Sequence, residues 1–179
     1  APVSNVEWNL PVAQADHLWA QQQLQKSSRW LAVNVMASKE ERCWPVDRCV
    51  EIIDRVMQSG IGVVLTGGNS DKERALNQAV IQRCQQPPLD LVGKTTFKQL
   101  LAVLAAVDGL LAPDTGPVHL ARAVNTPVIG LYAVATPQLT GPYQAQDYCI
   151  DRYPEALATL LPNKKGVYFH TRVHDKRAM

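Results

Sequence analysis

Two hydrophobic rhythms alternate along this sequence. Short, mostly apolar runs occur at Arg29–Met36, Ile61–Thr66, Leu89–Val92, Gly109–Ala112 and Pro127–Leu131. Such runs read as strands buried on both faces, because a strand with one wet face would alternate apolar and polar positions. Between them the apolar residues fall three and four apart, the spacing that gathers them on one face of a helix. Val12, Ala15, Leu18, Trp19 and Leu24 predict a first helix over 12–24. Pro45 opens a second pattern, Val46, Val50, Ile53, Val56 and Met57, which Ser59-Gly60 closes. A third helix is expected over Asp71–Cys84 with Ala75, Leu76, Ala79, Val80 and Cys84 inward. Phe97–Val107 and Gly116–Val124 complete the helices, and residues 1–11, with Pro2 and Pro11, read as an extended lead-in.

Strands alternating with helices of roughly 10–15 residues build βαβ units and a parallel sheet. Right-handed crossovers put helices on both faces. The expectation is therefore an α/β fold, a Rossmann-like doubly wound parallel sheet over residues 12–165, followed by a basic tail over 166–179.

Composition narrows the function classes. A chain of 179 residues that is 46% hydrophobic and 19% charged has an ordinary globular make-up and can support its own core. The longest apolar run, Leu100–Val107, falls well short of the ~20 residues a membrane span requires. The first residues lack a charged stretch followed by an apolar one, so no secretory signal is expected, and a cytoplasmic location follows. Cys43, Cys49, Cys84 and Cys149 form no C-x-x-C pair and are expected as free thiols. His170 and His174 could share a helical face as metal ligands, but with no third ligand nearby a solvated tail is the better reading.

The net charge of +2 is uneven. From Pro162 onward Lys164, Lys165, Arg172, Lys176 and Arg177 stand against Asp175 alone. That is not the basic stripe of a nucleic-acid binder. The tail could meet anionic lipid or another protein, and an exposed, solubilising end is the simpler expectation.

Ligands of open α/β sheets bind outside the carboxyl ends of the strands, and unusual residues cluster in those loops. Ser38, Lys39 and Arg42 follow the first strand, Gly67, Gly68 and Glu73 the second, Gly93 and Lys94 the third, and Asp114, Thr115, Gly116 and His119 the fourth. Thr115 or Gly116 can cap a helix with Pro117 in its first turn. Such a helix start offers unpaired N–H groups to an anion, and Gly116 allows close approach. Arg42 and Lys39 can supply charge to phosphate oxygens, and Glu73 can accept from ribose hydroxyls. Neither G-x-G-x-x-G nor a P-loop occurs, which argues against a dinucleotide oxidoreductase and a P-loop NTPase.

The run Asp114-Thr115-Gly116-Pro117-Val118-His119-Leu120-Ala121, followed by Ala123-Val124-Asn125-Thr126-Pro127-Val128-Ile129-Gly130-Leu131-Tyr132, resembles the signature of glycosyltransferase family nine, the ADP-heptose:lipopolysaccharide heptosyltransferases. Ala37-Ser38, Arg42 and Trp44-Pro45 are similar to its G-A-S-x-x-x-K-R-W-P segment, and Leu65-Thr66-Gly67-Gly68, Gly93-Lys94-Thr95 and Leu139-Thr140-Gly141-Pro142-Tyr143 fall in family order. The resemblance covers roughly residues 10–165. It implies the C-terminal, donor-binding half of a GT-B enzyme, two Rossmann-like domains across a cleft. By position it implies that Asp114 binds a sugar hydroxyl and that Thr115, Gly116 and His119 hold the pyrophosphate. Arg42, with Ser38 beside it, would stand where a lysine binds phosphate, Glu73 would bind ribose, and the Gly93-Lys94 backbone would meet adenine.

The further implications are an inverting transfer of heptose from an ADP-sugar to a lipopolysaccharide core acceptor. The catalytic base would lie in an N-terminal partner domain, so this chain alone would be inactive. Peripheral contact with the inner membrane is implied, and no cofactor or metal. Two departures stand out: Asn34-Val35-Met36 where the family has His-Pro-Gly, and Ala133-Val134-Ala135-Thr136 where Gly-Pro-Thr-Asp is common. They leave open a non-catalytic nucleotide-binding or scaffold domain, and half of a sugar-nucleotide epimerase shares the architecture.

Overall fold

The computed structural model describes Trp8, Leu10 and residues 11–163 and 171–179. Most of the lead-in, Lys164, Lys165, His170 and the start of the tail lie outside the described residues. The chain runs through α1 (Gln14–Gln23), β1 (Trp30–Asn34), a 3-10 turn (Glu40–Arg42), α2 (Val46–Gln58), β2 (Gly62–Thr66), α3 (Asp71–Ile81) and β3 (Leu89–Asp90). There follow α4 (Phe97–Ala106), β4 (Gly109–Pro113), α5 (Gly116–Ala123), β5 (Val128–Tyr132), α6 (Pro137–Thr140), β6 (Ile150–Asp151), α7 (Tyr153–Leu160) and a second 3-10 turn (Lys176–Ala178).

Six strands form one sheet in the order β3-β2-β1-β4-β5-β6, and every pairing is parallel. The chain winds outward from β1 to β3, returns past β1 to β4, and winds outward again to β6. This is the Rossmann-like, doubly wound α/β fold that the alternating rhythms predict. Its order reverses between β1 and β4, which places a crevice at their carboxyl ends.

The strands are apolar on consecutive positions because each face has its own cover. Ala32, Val64, Leu110, Ala112 and Val128 pack under α1, α4 and α5 through Ala20, Leu104, Val118 and Ala121. Val33, Val63, Leu65 and Leu111 pack under α2 and α3 through Cys49, Ile53 and Val80. Each fully buried aliphatic side chain contributes about 1.5–3 kcal/mol, so these two layers dominate stability. Helix starts add smaller amounts. Thr96 and Gln99 form a reciprocal capping box on α4, and the Ser70 hydroxyl accepts from the Glu73 N–H at 3.2 Å at the start of α3.

Several expectations need correction. Ala15 and Leu18 are exposed, and α1 buries Ala20 instead, while Val12, Trp19 and Leu24 do pack on the core as expected. Ala75 is exposed, and the inward position on α3 goes to Asn77, whose Nδ2 donates to Asp90 Oδ1 at 2.8 Å. The described part of the tail is not a solvated end. Val173 is 1% exposed, packed with Ala133, Tyr153, Ala156 and Leu157, and its N–H donates to the Val134 carbonyl at 2.9 Å. No helix among the described residues is long and apolar enough to cross a membrane.

Candidate functional site

The crevice between β1 and β4 is built by two loops that fold toward each other. After β1, buried Asn34 accepts the Met36 N–H on its Oδ1 at 3.2 Å and turns the chain sharply. Ser38 is exposed, and the 3-10 turn then swings Arg42 back over the sheet, secured by its N–H to the Lys39 carbonyl at 3.0 Å. After β4, Asp114 points inward and is 8% exposed. The two meet: Arg42 Nη1 lies 3.2 Å from Asp114 Oδ2 and 3.4 Å from the Asp114 backbone oxygen. Sequence separation hides this pair. Arg42, expected as a phosphate donor, is first of all the counter-ion of the carboxylate expected to hold a sugar.

The pair is not saturated. Arg42 Nε is buried without a hydrogen-bond partner, and Asp114 Oδ2 lies within ion-pair distance but off hydrogen-bond geometry. A guanidinium carries five donors in a fixed fork, so one edge can hold Asp114 while another serves a ligand. Thr66 Oγ1 at the end of β2 and the Tyr132 hydroxyl at the end of β5 are also orphaned, and burial pushes the Tyr132 phenol well above its usual pKa. Four of the five orphaned buried side-chain atoms among the described residues belong to residues at or just beyond the carboxyl ends of strands, with the Tyr132 ring laid back over Gly130. Orphans of this kind are rare in native structures and mark a place where a ligand or water belongs.

Beside the pair, α5 begins. Thr115 is its extended N-cap, and its hydroxyl makes no capping bond. Within the first turn Pro117 has no N–H and the Val118 N–H donates to the Thr115 carbonyl at 3.1 Å, which leaves the Gly116 N–H at the positive end of the helix dipole. A side chain at Gly116 would meet no heavy atom within 4 Å, so the helix start opens onto free space. His119 stands exposed in the same first turns.

The β2 and β3 loops on the same rim behave differently. Glu73 turns back into its own loop, accepting from the Gly68 N–H at 2.8 Å and the Ser70 hydroxyl at 2.7 Å. Burial pushes its carboxyl up, but those two bonds outweigh it and leave the pKa below the usual value. Gly93 has φ +70° and donates its N–H to the Gly67 carbonyl at 3.2 Å; a side chain there would press on Asn69. Lys94 Nζ is held by Asp90, 2.6 Å from Oδ2. The structure therefore joins Arg42 with Asp114 and stacks Gly93 on the Gly67–Asn69 turn, while the Glu73 and Lys94 side chains are engaged within their own loops. Among the described residues no group of three or more His, Cys, Asp or Glu is set to hold a metal.

Sequence reasoning quotes Asn34, Thr66 and Tyr132 within longer runs but gives none of them a place in the site. Each ends a buried strand as its one polar atom among apolar neighbours, and that pattern was the available signal.

Comparison with known proteins bears on the family and the fold. The sequence profile described as Glycosyltransferase family 9 (heptosyltransferase) matches residues 1–160. The lipopolysaccharide core heptosyltransferase OpsX of Haemophilus influenzae is 33% identical over 154 residues, 86% of this chain and 44% of that protein. Lipopolysaccharide heptosyltransferase 3 of Escherichia coli K12 is 34% identical over 58% of this chain and 30% of its own length. Among solved structures, the family 9 glycosyl transferase of Veillonella parvula superposes with a TM-score of 0.76 at 21% identity, covering 96% of this chain and 52% of that one. The E. coli ADP-heptose lps heptosyltransferase II superposes with a TM-score of 0.70 at 19% identity, over 93% and 57%. The chain thus spans about half the length, or less, of the proteins it matches. With a family profile matching nearly its whole length and a relative one-third identical, the chain belongs to glycosyltransferase family 9.

Proposed function

We propose that this chain is the donor-binding half of a heptosyltransferase acting on the lipopolysaccharide inner core, and that its β1–β4 crevice holds an ADP-heptose-type sugar nucleotide. The observation that carries this reading is the unsaturated Arg42–Asp114 pair beside the open start of α5. A lone carboxylate would repel a diphosphate. Paired with Arg42 it is neutralised, and its free lone pairs suit a sugar hydroxyl while Arg42 Nε and the Gly116 N–H at the start of α5 suit phosphate oxygens. The Gly67–Asn69 and Gly93 turns, closed by Glu73, offer a shaped backbone edge for the nucleoside, with the Glu73 carboxylate beside a ribose.

In the transfer, an acceptor hydroxyl oxygen bonds to the anomeric carbon while the bond from that carbon to the diphosphate oxygen breaks. Attack from the face opposite the leaving group inverts the centre. The hydroxyl proton passes to a carboxylate on the other half of the protein, and ADP departs with the bonding electron pair. The part played by this chain is to meet the charge that develops on the departing diphosphate, through Arg42, His119 and the Gly116 N–H at the start of α5.

The test compares ADP with ADP-heptose on Asp114→Ala by calorimetric titration. The sugar nucleotide should lose affinity by about tenfold, roughly 1.4 kcal/mol, while ADP changes little. Equal losses for both ligands remove Asp114 from the sugar. Tighter binding of UDP- or GDP-sugars by the unmodified chain defeats the donor assignment altogether.

A further inference from the structure

The segment 171–179 runs across the molecule to the donor rim. The Tyr153 hydroxyl donates to the Thr171 carbonyl at 2.8 Å, and Val173 is buried against Ala133 with its N–H on the Val134 carbonyl. Beyond this anchor, His174 Nδ1 lies 2.8 Å from Glu41 Oε1, and Lys176 Nζ lies 2.7 Å from Glu40 Oε1. Glu40 and Glu41 are the first two residues of the 3-10 turn whose third is Arg42. A buried anchor on the loop after β5 is thus joined by two charged contacts to the turn that presents Arg42 to Asp114.

We propose that Val173, His174 and Lys176 are positioning residues for the donor site, holding the Glu40–Arg42 turn so that Arg42 stays over Asp114. The inference rests on the donor-binding reading above and adds to it a determinant far along the chain. Geometry shows why the turn needs a hold. It is a single short turn, its three residues include none that is buried, and its internal ties are the N–H bonds of Arg42 and Cys43 to the Lys39 and Glu40 carbonyls. Exposed ion pairs are individually weak, but two of them hung from a buried valine restrict a turn that has little packing of its own. The neighbouring groups respond accordingly: the Lys176 contact lowers the Glu40 carboxyl pKa, and the His174 contact lowers that of Glu41.

Cys43 offers a readout that needs no nucleotide. Its thiol sits inside the loop, 3.4 Å from the Ala37 N–H and 3.6 Å from the Ala37 and Lys39 carbonyls, so it reacts when the loop opens. The experiment measures alkylation of each cysteine by mass spectrometry, ADP affinity and melting temperature on the full chain. In His174→Gln/Lys176→Glu, Cys43 should react about three- to tenfold faster and ADP should bind weaker by a similar factor, as expected for losing two exposed pairs. Cys84, Cys149 and the melting temperature should stay as they were. Exchanging the charges in Glu40→Lys/Lys176→Glu should return both quantities toward those of the unmodified chain, and Val173→Ser should reproduce the release.

An unchanged Cys43 rate, or faster Cys43 labelling with unaltered ADP affinity, overturns the proposal. Failure of the charge exchange to restore what Lys176→Glu loses does so too. A chain that binds no ADP before any substitution overturns the donor reading instead, and Cys43 labelling then decides by itself whether the segment holds the turn.

Discussion

The two ends of the parallel sheet invert the usual relation between space and chemistry. A cavity of about 680 Å³ lies toward the amino end of the strands, lined by Lys26, Trp30, Gly62, Pro87 and Leu89 among others. The carboxyl end presents an open crevice between two loops. Yet the polar groups at the amino end are spent on one another: Trp30 Nε1 donates to the Leu24 and Ser27 carbonyls at 2.8 and 3.1 Å, and its N–H reaches Asp108 Oδ2 at 2.7 Å. At the carboxyl end Arg42 Nε and Thr66 Oγ1 lack hydrogen-bond partners, and Asp114 Oδ2 has only its ion pair with Arg42. On the proposed reading, the site lies where hydrogen-bonding capacity is unspent and not where the volume is.

Substitutions at the two ends should therefore separate cleanly. The largest effect is expected from Gly116→Val. A diphosphate seated on the Gly116 N–H leaves no room for branched carbons, whereas the empty position tolerates them. ADP binding should become undetectable by calorimetry, with the melting temperature nearly unchanged. Retained binding would move the phosphates off this helix.

Arg42→Ala should cost about 1.5–3 kcal/mol of ADP affinity, the range for a hydrogen bond to a charged group, and should hurt AMP less. It should also destabilise the fold by about 1–3 kcal/mol, since it strands the inward Asp114 carboxylate. A solvent-facing arginine would show no such stability loss, so chemical denaturation distinguishes the two. Trp30→Phe is the mirror experiment at the amino end. Losing the indole donor should lower stability by about 1–2 kcal/mol and leave ADP affinity alone.

A smaller effect is expected at Asp90, and it is pH-dependent. Burial pushes its carboxyl up, but bonds from Lys94, the Val92 N–H and Asn77 outweigh it, so its folded pKa lies below the unfolded 3.8. A lowered folded pKa means that the unfolded chain takes up the proton first. The stability Asp90 contributes is therefore complete well above pH 4 and disappears as the pH falls through the folded value. Asp90→Ala should melt lower than the unmodified chain at pH 7, and the gap should close on acidification below pH ~4. A gap that persists in acid would show that packing, and not the charge, is what Asp90 supplies.

Parts of this account were legible in the amino-acid order and parts were not. β1, β2 and β4 are buried on nearly consecutive positions and β5 alternates buried with half-buried ones, so local hydrophobicity alone announces all four. β6 is two residues paired to Leu131 and Tyr132, with Ile150 half-exposed, and no local pattern distinguishes it from a loop. α7 did carry a signal, Pro154 in its first turn and Ala156, Leu157 and Leu160 at helical spacing, which the reading passed over. Among site residues, the helix start at Gly116 follows from local rules. The Arg42–Asp114 pair and the ties from Glu40 and Glu41 to Lys176 and His174 do not, because a charge in a sequence specifies a sign and not a partner. Only the doubly wound topology brings those loops onto one rim.

The most direct test of the central claim is a crystal structure of the chain with ADP. The account predicts the diphosphate at the start of α5, within hydrogen-bond reach of the Gly116 N–H and of Arg42, with the adenosine lying toward Gly67 and Gly93. ADP bound in the cavity beside Trp30 and Gly62, or at the carboxyl rim with its phosphates away from Arg42 and Gly116, would contradict it.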